Sequence, residues 1–163
     1  MATVTLKGSP VTTIGSLPAV GSPAPAFTLV GADLADVNRT PGVITILNIF
    51  PSIDTPTCAT SVRRFNAEAA TLPGVTVLCV SADLPFAQKR FCGAEGITNV
   101  AAVSSFRSTF GADYGLTFTD SKLKGLLARA VVVIGADGLV KHTELVAEIA
   151  NEPNYGAAMA AAT

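Results

Sequence analysis

The sequence contains no tryptophan, two methionines, a single histidine and three cysteines in 163 residues. With only His142 and no C-x-x-C pair, it lacks the four-ligand Cys/His set of a structural zinc site, so no metal is expected. Charge is also scarce. Charged residues make up 14%, and the 11 cationic side chains nearly cancel the 12 anionic ones. A net charge of −1 and a pI near 5.7 offer no basic field for nucleic acid. Long hydrophobic runs are missing as well. The apolar stretch Val43 to Phe50 is broken by Thr45 and Asn48, and Ala130 to Gly135 is short. Neither approaches the ~18 to 20 residues that a spanning helix requires, so no membrane partner is expected. Met1 to Gly15 alternates and has no continuous apolar segment of the secretory kind, so the cytoplasm is the expected compartment.

What is present points to a folded domain. Hydrophobic residues reach 49%, which excludes disorder. The length fits one domain spanning 1–163, long enough to bury about two-thirds of its unfolded surface. A mean hydropathy of +0.49 is high for a chain with no membrane span and suggests a deep core together with an oligomer interface.

Thr3 to Lys7 and Val11 to Ile14 flank Gly8-Ser9-Pro10 and read as an N-terminal β-hairpin within about 1–15. A proline-stiffened connector, Gly21 to Ala26, precedes a short strand at Phe27 to Val30, and residues 31 to 42 read as loop. Val43 to Phe50 carries β-branched residues on both alternating faces, the mark of a strand covered on both sides. A helix follows to about Leu72, with Thr55 or Thr57 as its cap and Val62, Phe65, Ala69 and Leu72 at helical spacing. Val75 to Val80 is the second two-sided strand. Leu84 to Cys92 reads as a helix with Asp83 as N-cap, Pro85 in its first turn and Gly93 and Gly96 ending it. A strand at Asn99 to Val103 and a helical turn at Phe106 to Phe110 come next. Ala130 to Ile134 and Leu139 to Leu145 form a hairpin through Asp137-Gly138, and Asn154 to Ala162 closes the chain as a helix. The order β-α-β-α, then a hairpin and a helix, describes an α/β thioredoxin-like fold: a central mixed β-sheet flanked by helices, with an additional N-terminal hairpin.

Three cysteines, Cys58, Cys79 and Cys92, cannot all pair within one chain, and a reducing compartment disfavours stable structural disulfides. One reactive pair and one buried bystander is the natural division. Cys79 lies in a two-sided apolar strand and reads as an inert buried residue. Cys58 is different. A buried strand runs into the turn Pro51-Ser52-Ile53-Asp54-Thr55-Pro56, and the turn delivers Cys58 to the first turn of a helix. Unpaired N–H groups and the positive end of the helix dipole favour a thiolate at such a place. The segment Thr55-Pro56-Thr57-Cys58 has a hydroxyl where a C-x-x-C exchanger carries its first thiol. One thiolate beside a hydrogen-bonding group suits attack on an oxygen atom, and the missing second thiol disfavours a thiol–disulfide oxidoreductase.

Pro51-x-x-x-Thr55-x-x-Cys58 resembles the active-site pattern of the peroxiredoxins, and Asn48 to Ala59 looks like their bacterial thiol peroxidase branch. The resemblance continues through Asp83 to Cys92, Gly125 to Val133 and Glu152 to Tyr155, and includes the N-terminal hairpin. The loop Asp36 to Gly42 and Thr57, where the branch often has an aliphatic residue, depart from the usual pattern. The resemblance implies that Cys58 is the peroxidatic cysteine, oxidised to sulfenic acid, and that Thr55 binds peroxide and thiolate through its hydroxyl. It likewise implies that Pro51 shields the sulfur, that Arg129 supports thiolate and peroxide, and that Cys92 is the resolving cysteine of the same chain. It further implies reduction of hydrogen peroxide and organic hydroperoxides, an intrachain Cys58–Cys92 disulfide, recycling by thioredoxin, a homodimer and no cofactor. The alternative outside enzymology is a peroxide-responsive redox sensor or holdase chaperone, whose oxidation signals to a partner.

Chain geometry adds one expectation. A disulfide needs Cα atoms within about 4.4 to 6.8 Å. Two helix-borne cysteines joined through a β crossover stand further apart, so bond formation calls for local unwinding around residues 55 to 62 and 84 to 96.

Overall fold

The three most apolar strands form the centre of the sheet. In the computed structural model, which describes all 163 residues, β5 (Ile44–Ile49) lies between β6 (Val75–Ser81), parallel to it, and β8 (Ala130–Ile134), antiparallel. Every residue of β8 is buried, as the lack of polar alternation in its sequence implies. The seven-stranded sheet runs β4-β3-β7-β6-β5-β8-β9, with β3 at Leu29–Val30, β4 at Asp36–Val37, β7 at Ala101–Ser104 and β9 at Val140–Leu145. Helix α1 (Pro56–Ala69) carries the chain from β5 to β6, and α2 (Pro85–Glu95) from β6 to the parallel β7. The mixed sheet and its crossovers are the thioredoxin-like architecture expected.

Alternation along the strands divides the core. Ile46, Val77, Val131 and Val133 meet Phe65 of α1 and Tyr155, Ala158 and Ala162 at the end of the chain, mostly within α4 (Tyr155–Ala161). Their strand neighbours Leu47, Leu78, Val132 and Ile134 point the other way, onto Phe110, Tyr114, Leu116 and Phe118. Phe110, in the short helix α3 (Phe110–Asp113), stacks on Tyr114 at 4.5 Å between ring centroids. A third cluster, under the first turns of α1, joins Phe50, Ile53, Cys58, Ala59, Val62, Cys79 and Phe91.

The N-terminal hairpin pairs β1 (Thr3–Leu6) with β2 (Ser9–Thr12) through the two residues Lys7 and Gly8, both at positive φ (50° and 84°). That is the primed turn matching strand twist, so Ser9 and Pro10, read from sequence as part of the turn, belong to β2 instead. The hairpin reaches the rest of the fold through Thr5. Its N–H donates to the Ala147 carbonyl at 2.8 Å, and its own carbonyl accepts from the Ile149 N–H at 2.8 Å.

Four other expectations shift. The stretch 31 to 42 is not wholly loop: β4 returns antiparallel on β3 after a turn with Leu34 at φ 67°. The residue before α2 is Leu84 rather than Asp83. Gly93 lies inside α2, which runs on to Glu95 and ends at Gly96 in the left-handed conformation, φ 65°. The N–H groups of Gly96 and Ile97 both close on the Cys92 carbonyl, so Cys92 sits one turn before the helix end. Finally, the helical turn expected at 106 to 110 is α3, displaced to 110–113 because Ser108 and Thr109 carry the preceding turn. No helix is long and apolar enough to cross a membrane.

Candidate active site

The end of β5 and the start of α1 create the site. After Ile49 and the buried Phe50, the turn begins at the buried Pro51, and Pro56 opens α1 at a position where its missing N–H costs nothing. Thr55 occupies the N-cap with extended backbone, yet its side chain makes no capping bond. Its hydroxyl donates instead to the Ser52 carbonyl at 3.0 Å. No acidic residue occupies the first turn of α1, so nothing there neutralises the positive end of the helix. Cys58 is the third helical residue and is fully buried.

Arg129 reaches this sulfur from the other side. It precedes β8, is only 2% exposed, and donates from Nη2 to Cys58 Sγ at 3.3 Å. Its Nε is anchored on the Ile149 carbonyl at 2.8 Å, and its Nη1 is buried with no partner. A guanidinium costs several kcal/mol to bury without an anion, and its two contacts here are the Ile149 carbonyl and the Cys58 sulfur. That leaves a buried donor without an acceptor beside the sulfur.

Arg129 also lines a cavity of about 240 Å³, together with Pro51, Thr55, Ile149 and the hairpin residues Leu6 and Lys7, among others; the buried Cys58 is not in its wall and meets it through Arg129. The hairpin is therefore part of the site wall as well as an addition to the fold. Thr57 helps to close the rim, its hydroxyl donating to the Ala150 carbonyl at 3.1 Å. The cavity is of a size for a small molecule, and Thr55 and Arg129 are both among its lining residues.

Of the five residues singled out from sequence, Pro51, Thr55 and Arg129 line this cavity, and Arg129 touches Cys58. Cys92 stands apart. All three cysteines are free, and Cys92, half-buried on α2, faces a different cavity of about 430 Å³ with Gln88, Ile97 and Val100. It packs only at the margin of the cluster that contains Cys58 and Cys79. Burial pushes the Cys92 thiol above its usual range. The same cause, desolvation, pushes the fully buried Cys79 up to about 12, with the Asn48 amide at 3.7 Å pulling weakly the other way. No three His, Cys, Asp or Glu side chains converge where a metal could bind.

Several contributors to the site went unread in the sequence. Ile149 acts through its carbonyl, which no side-chain pattern announces. Glu148 holds that segment by accepting from the N–H groups of Gly8 and Ala150, each at 3.0 Å, and these bonds hold its carboxyl down to about 2. Asn48 and Ser61 form a buried pair at 3.1 Å beneath Cys58, and Ser61 donates to the Cys58 carbonyl at 2.7 Å. An Asn within a largely apolar two-sided strand is the visible signal for that pair.

The redoxin family model matches residues 19–159 of this chain. The thiol peroxidases of Mycobacterium bovis and Mycobacterium tuberculosis are each 64% identical over 163 residues, covering 99% of this chain and 98% of the relative. The thiol peroxidase of Corynebacterium glutamicum is 53% identical over 163 residues, with 99% of each chain covered. Among solved structures, a peroxiredoxin-like protein from Aquifex aeolicus superposes with a TM-score of 0.94 at 42% identity, covering 98% of this chain and 95% of that one.

Proposed function

The chain belongs to the redoxin family, among its thiol peroxidases, enzymes that reduce peroxide at the expense of thiols, and from that premise we propose that Cys58 is the sulfur that attacks the peroxide. The observation that carries this reading is the 3.3 Å contact of Arg129 Nη2 with Cys58 Sγ, made by an arginine that also lines a cavity with Thr55 and Pro51. The thiolate attacks the distal oxygen of ROOH and the O–O bond breaks. Cys58 becomes a sulfenic acid, and the alkoxide takes a proton and leaves as ROH. The Thr55 hydroxyl turns from the Ser52 carbonyl to hold the peroxide. The free Nη1–H of Arg129 faces the oxygen that gains charge, and Pro51 keeps water from the sulfur.

Cys92 then displaces water from the sulfenic acid to form an intrachain disulfide. An external dithiol, thioredoxin, reduces it, giving two thiols on this chain and one disulfide on the partner. Bringing the sulfurs together requires unwinding at the start of α1 and along α2, since Cys58 is enclosed beneath α1 while Cys92 faces a cavity beside α2. We also place the enzyme in the cytoplasm as a homodimer, consistent with the exposed Leu84 and Phe86 at the start of α2.

The test is consumption of NADPH by the reduced protein with peroxide, thioredoxin and thioredoxin reductase. Sustained stoichiometric turnover supports the cycle. A single oxidation with no turnover would overturn the thioredoxin step, and unchanged turnover in Cys58→Ser would overturn the assignment of the nucleophile.

A further inference from the structure

Between the peroxide cavity and the helix of Cys92 lies a polar chain centred on one carboxylate. Asp83 accepts from the Ser52 hydroxyl at 2.8 Å, the Ile53 N–H at 2.7 Å and the Ser81 hydroxyl at 2.5 Å. Ser52 in turn supplies the carbonyl on which both the Thr55 hydroxyl and the Thr55 N–H rest, at 3.0 and 3.2 Å. On the other side, the Ser81 hydroxyl accepts from Gln88 Nε2 at 3.0 Å, and the same nitrogen donates to the Val103 carbonyl at 2.8 Å. Gln88 is fully buried and lies four residues before Cys92, on the same face of α2. The Asp83 carbonyl is itself fixed by the Ser104 hydroxyl of β7 at 2.5 Å.

We propose that Asp83 is a positioning residue for peroxide reduction: its carboxylate sets the Ser52–Thr55 turn against Cys58 and ties that turn to α2, so the arrangement that binds peroxide is also the one that holds Cys92 away. The inference rests on the assignment of Cys58 as nucleophile. A carboxylate suits the role because it has acceptor capacity for three donors at once and presents no N–H to any of them. An amide of the same shape offers one oxygen and turns an NH₂ towards at least one of the donors. Once Asp83 releases Ser52 and Ile53, the turn and the first residues of α2 lose their common anchor together. Local opening at both cysteines is then one event.

The experiment compares Asp83→Asn, Ser52→Ala and Glu95→Gln. The last breaks the exposed Arg63–Glu95 ion pair between α1 and α2 and leaves the Asp83 hydrogen bonds intact. Stopped-flow oxidation with hydrogen peroxide gives the rate of the first step. Quenched samples followed by mass spectrometry give the rate of disulfide closure and the fraction over-oxidised to sulfinic acid at Cys58. In Asp83→Asn the first step is expected to slow about tenfold, less than the ~10²-fold that a 1 Å misplacement costs. Disulfide closure is expected to quicken and the sulfinic fraction to fall. Ser52→Ala keeps the backbone carbonyl and removes one of the hydrogen bonds to Asp83, so it shows the same opposed changes to a smaller extent. Glu95→Gln leaves the first step unchanged.

Opposed movement of the two steps is what general destabilisation does not produce. Should Asp83→Asn fail to fold, Ser52→Ala alone decides. A wild-type first step in whichever of these variants folds overturns the proposal, as does a change in Glu95→Gln that matches them. If wild-type protein forms no sulfenic acid at Cys58, the underlying assignment has failed instead. That result is distinct, because it appears before any variant is made.

Discussion

Cys58 and Cys79 share one apolar cluster, both wholly removed from solvent, and differ in what else touches them. Cys79 lies in the middle of β6 with the Asn48 amide as its polar neighbour, and desolvation pushes its thiol up to about 12. Cys58 lies at a helix start with the Arg129 guanidinium on its sulfur. Burial by itself therefore gives an inert thiol, and the proposed nucleophile is the one buried beside a held cation. The apolar surroundings then work in favour of the second site, because a guanidinium in contact acts more strongly where water does not screen it.

The largest expected effect tests that contrast directly. Cys58→Ser is expected to abolish peroxidase turnover, since a hydroxyl at neutral pH is protonated and peroxide does not oxidise it. Cys79→Ser keeps most of the activity. Coupled NADPH consumption measures both, and comparable losses in the two variants would erase the distinction. Cys92→Ser comes next. Its first oxidation proceeds at the wild-type rate, because Cys92 lies outside the peroxide cavity, and turnover then stalls at sulfenic acid. In the wild type, burial holds the Cys92 thiol up, so disulfide closure quickens as pH rises above neutrality.

Arg129→Ala removes the cation from the comparison. The first oxidation is expected to slow by about 10²- to 10³-fold, the range for deleting a donor aimed at developing charge. Arg129→Lys recovers only part of that, since an ammonium cannot hold the Ile149 carbonyl through Nε and face the sulfur and peroxide with its remaining donors. Stopped-flow oxidation at limiting peroxide reads both rates, and wild-type rates in both would sink the electrostatic account.

How much of this could be read beforehand follows from range. β5, β6 and β8 are legible because β-branched residues on both faces are a local signal, and the turn before Cys58 because proline and threonine punctuate it. β4 is not, since Asp36 and Val37 become a strand only by pairing with Leu29 and Val30. Asp83 has the chemistry of a helix cap, and a cap was expected. Its carboxylate turns back to Ser52 and Ile53, thirty or so residues earlier, a partnership decided by where β5 and β6 end side by side. Thr55 stands at its motif position, yet its hydroxyl faces Ser52 rather than capping α1. Tertiary hydrogen bonds of polar residues are the part that local patterns do not carry.

At Cys79, burial also makes the stability of the fold depend on pH. A thiol raised in the folded state contributes stability that is present below its unfolded value and lost as pH climbs through its folded one. For Cys79 that window runs from about 9 to about 12. Cys79→Ala is accordingly expected to flatten the alkaline decline in stability above pH 9, measured by urea unfolding across that range. An unchanged decline would mean that the Cys79 environment opens before the thiol ionises.

The smallest expected effect lies at the far end of the Arg129 anchor. Glu148 joins the hairpin turn at Gly8 to the segment whose Ile149 carbonyl receives Arg129, and hydrogen bonds from Ala150 and Gly8 hold its carboxyl at about 2 against an ordinary 4.5. For a carboxyl lowered by folding, the stabilisation is present above the ordinary value and is lost as pH falls through the folded one, here between about 4.5 and about 2. Because this carboxylate is open to solvent, water replaces much of what is lost, and the effect is local loosening rather than unfolding. Glu148→Gln keeps the acceptor oxygens partly in place and removes the charge, so at neutral pH it should slow the first oxidation less than about threefold, through a slightly freer Arg129. Amide exchange separates this from a global change: protection falls at Gly8 and Ala150 in the variant, while β5, β6 and β8 keep theirs. Equal protection at those two amides in variant and wild type would detach the hairpin from the cation and leave Arg129 held by the Ile149 carbonyl alone.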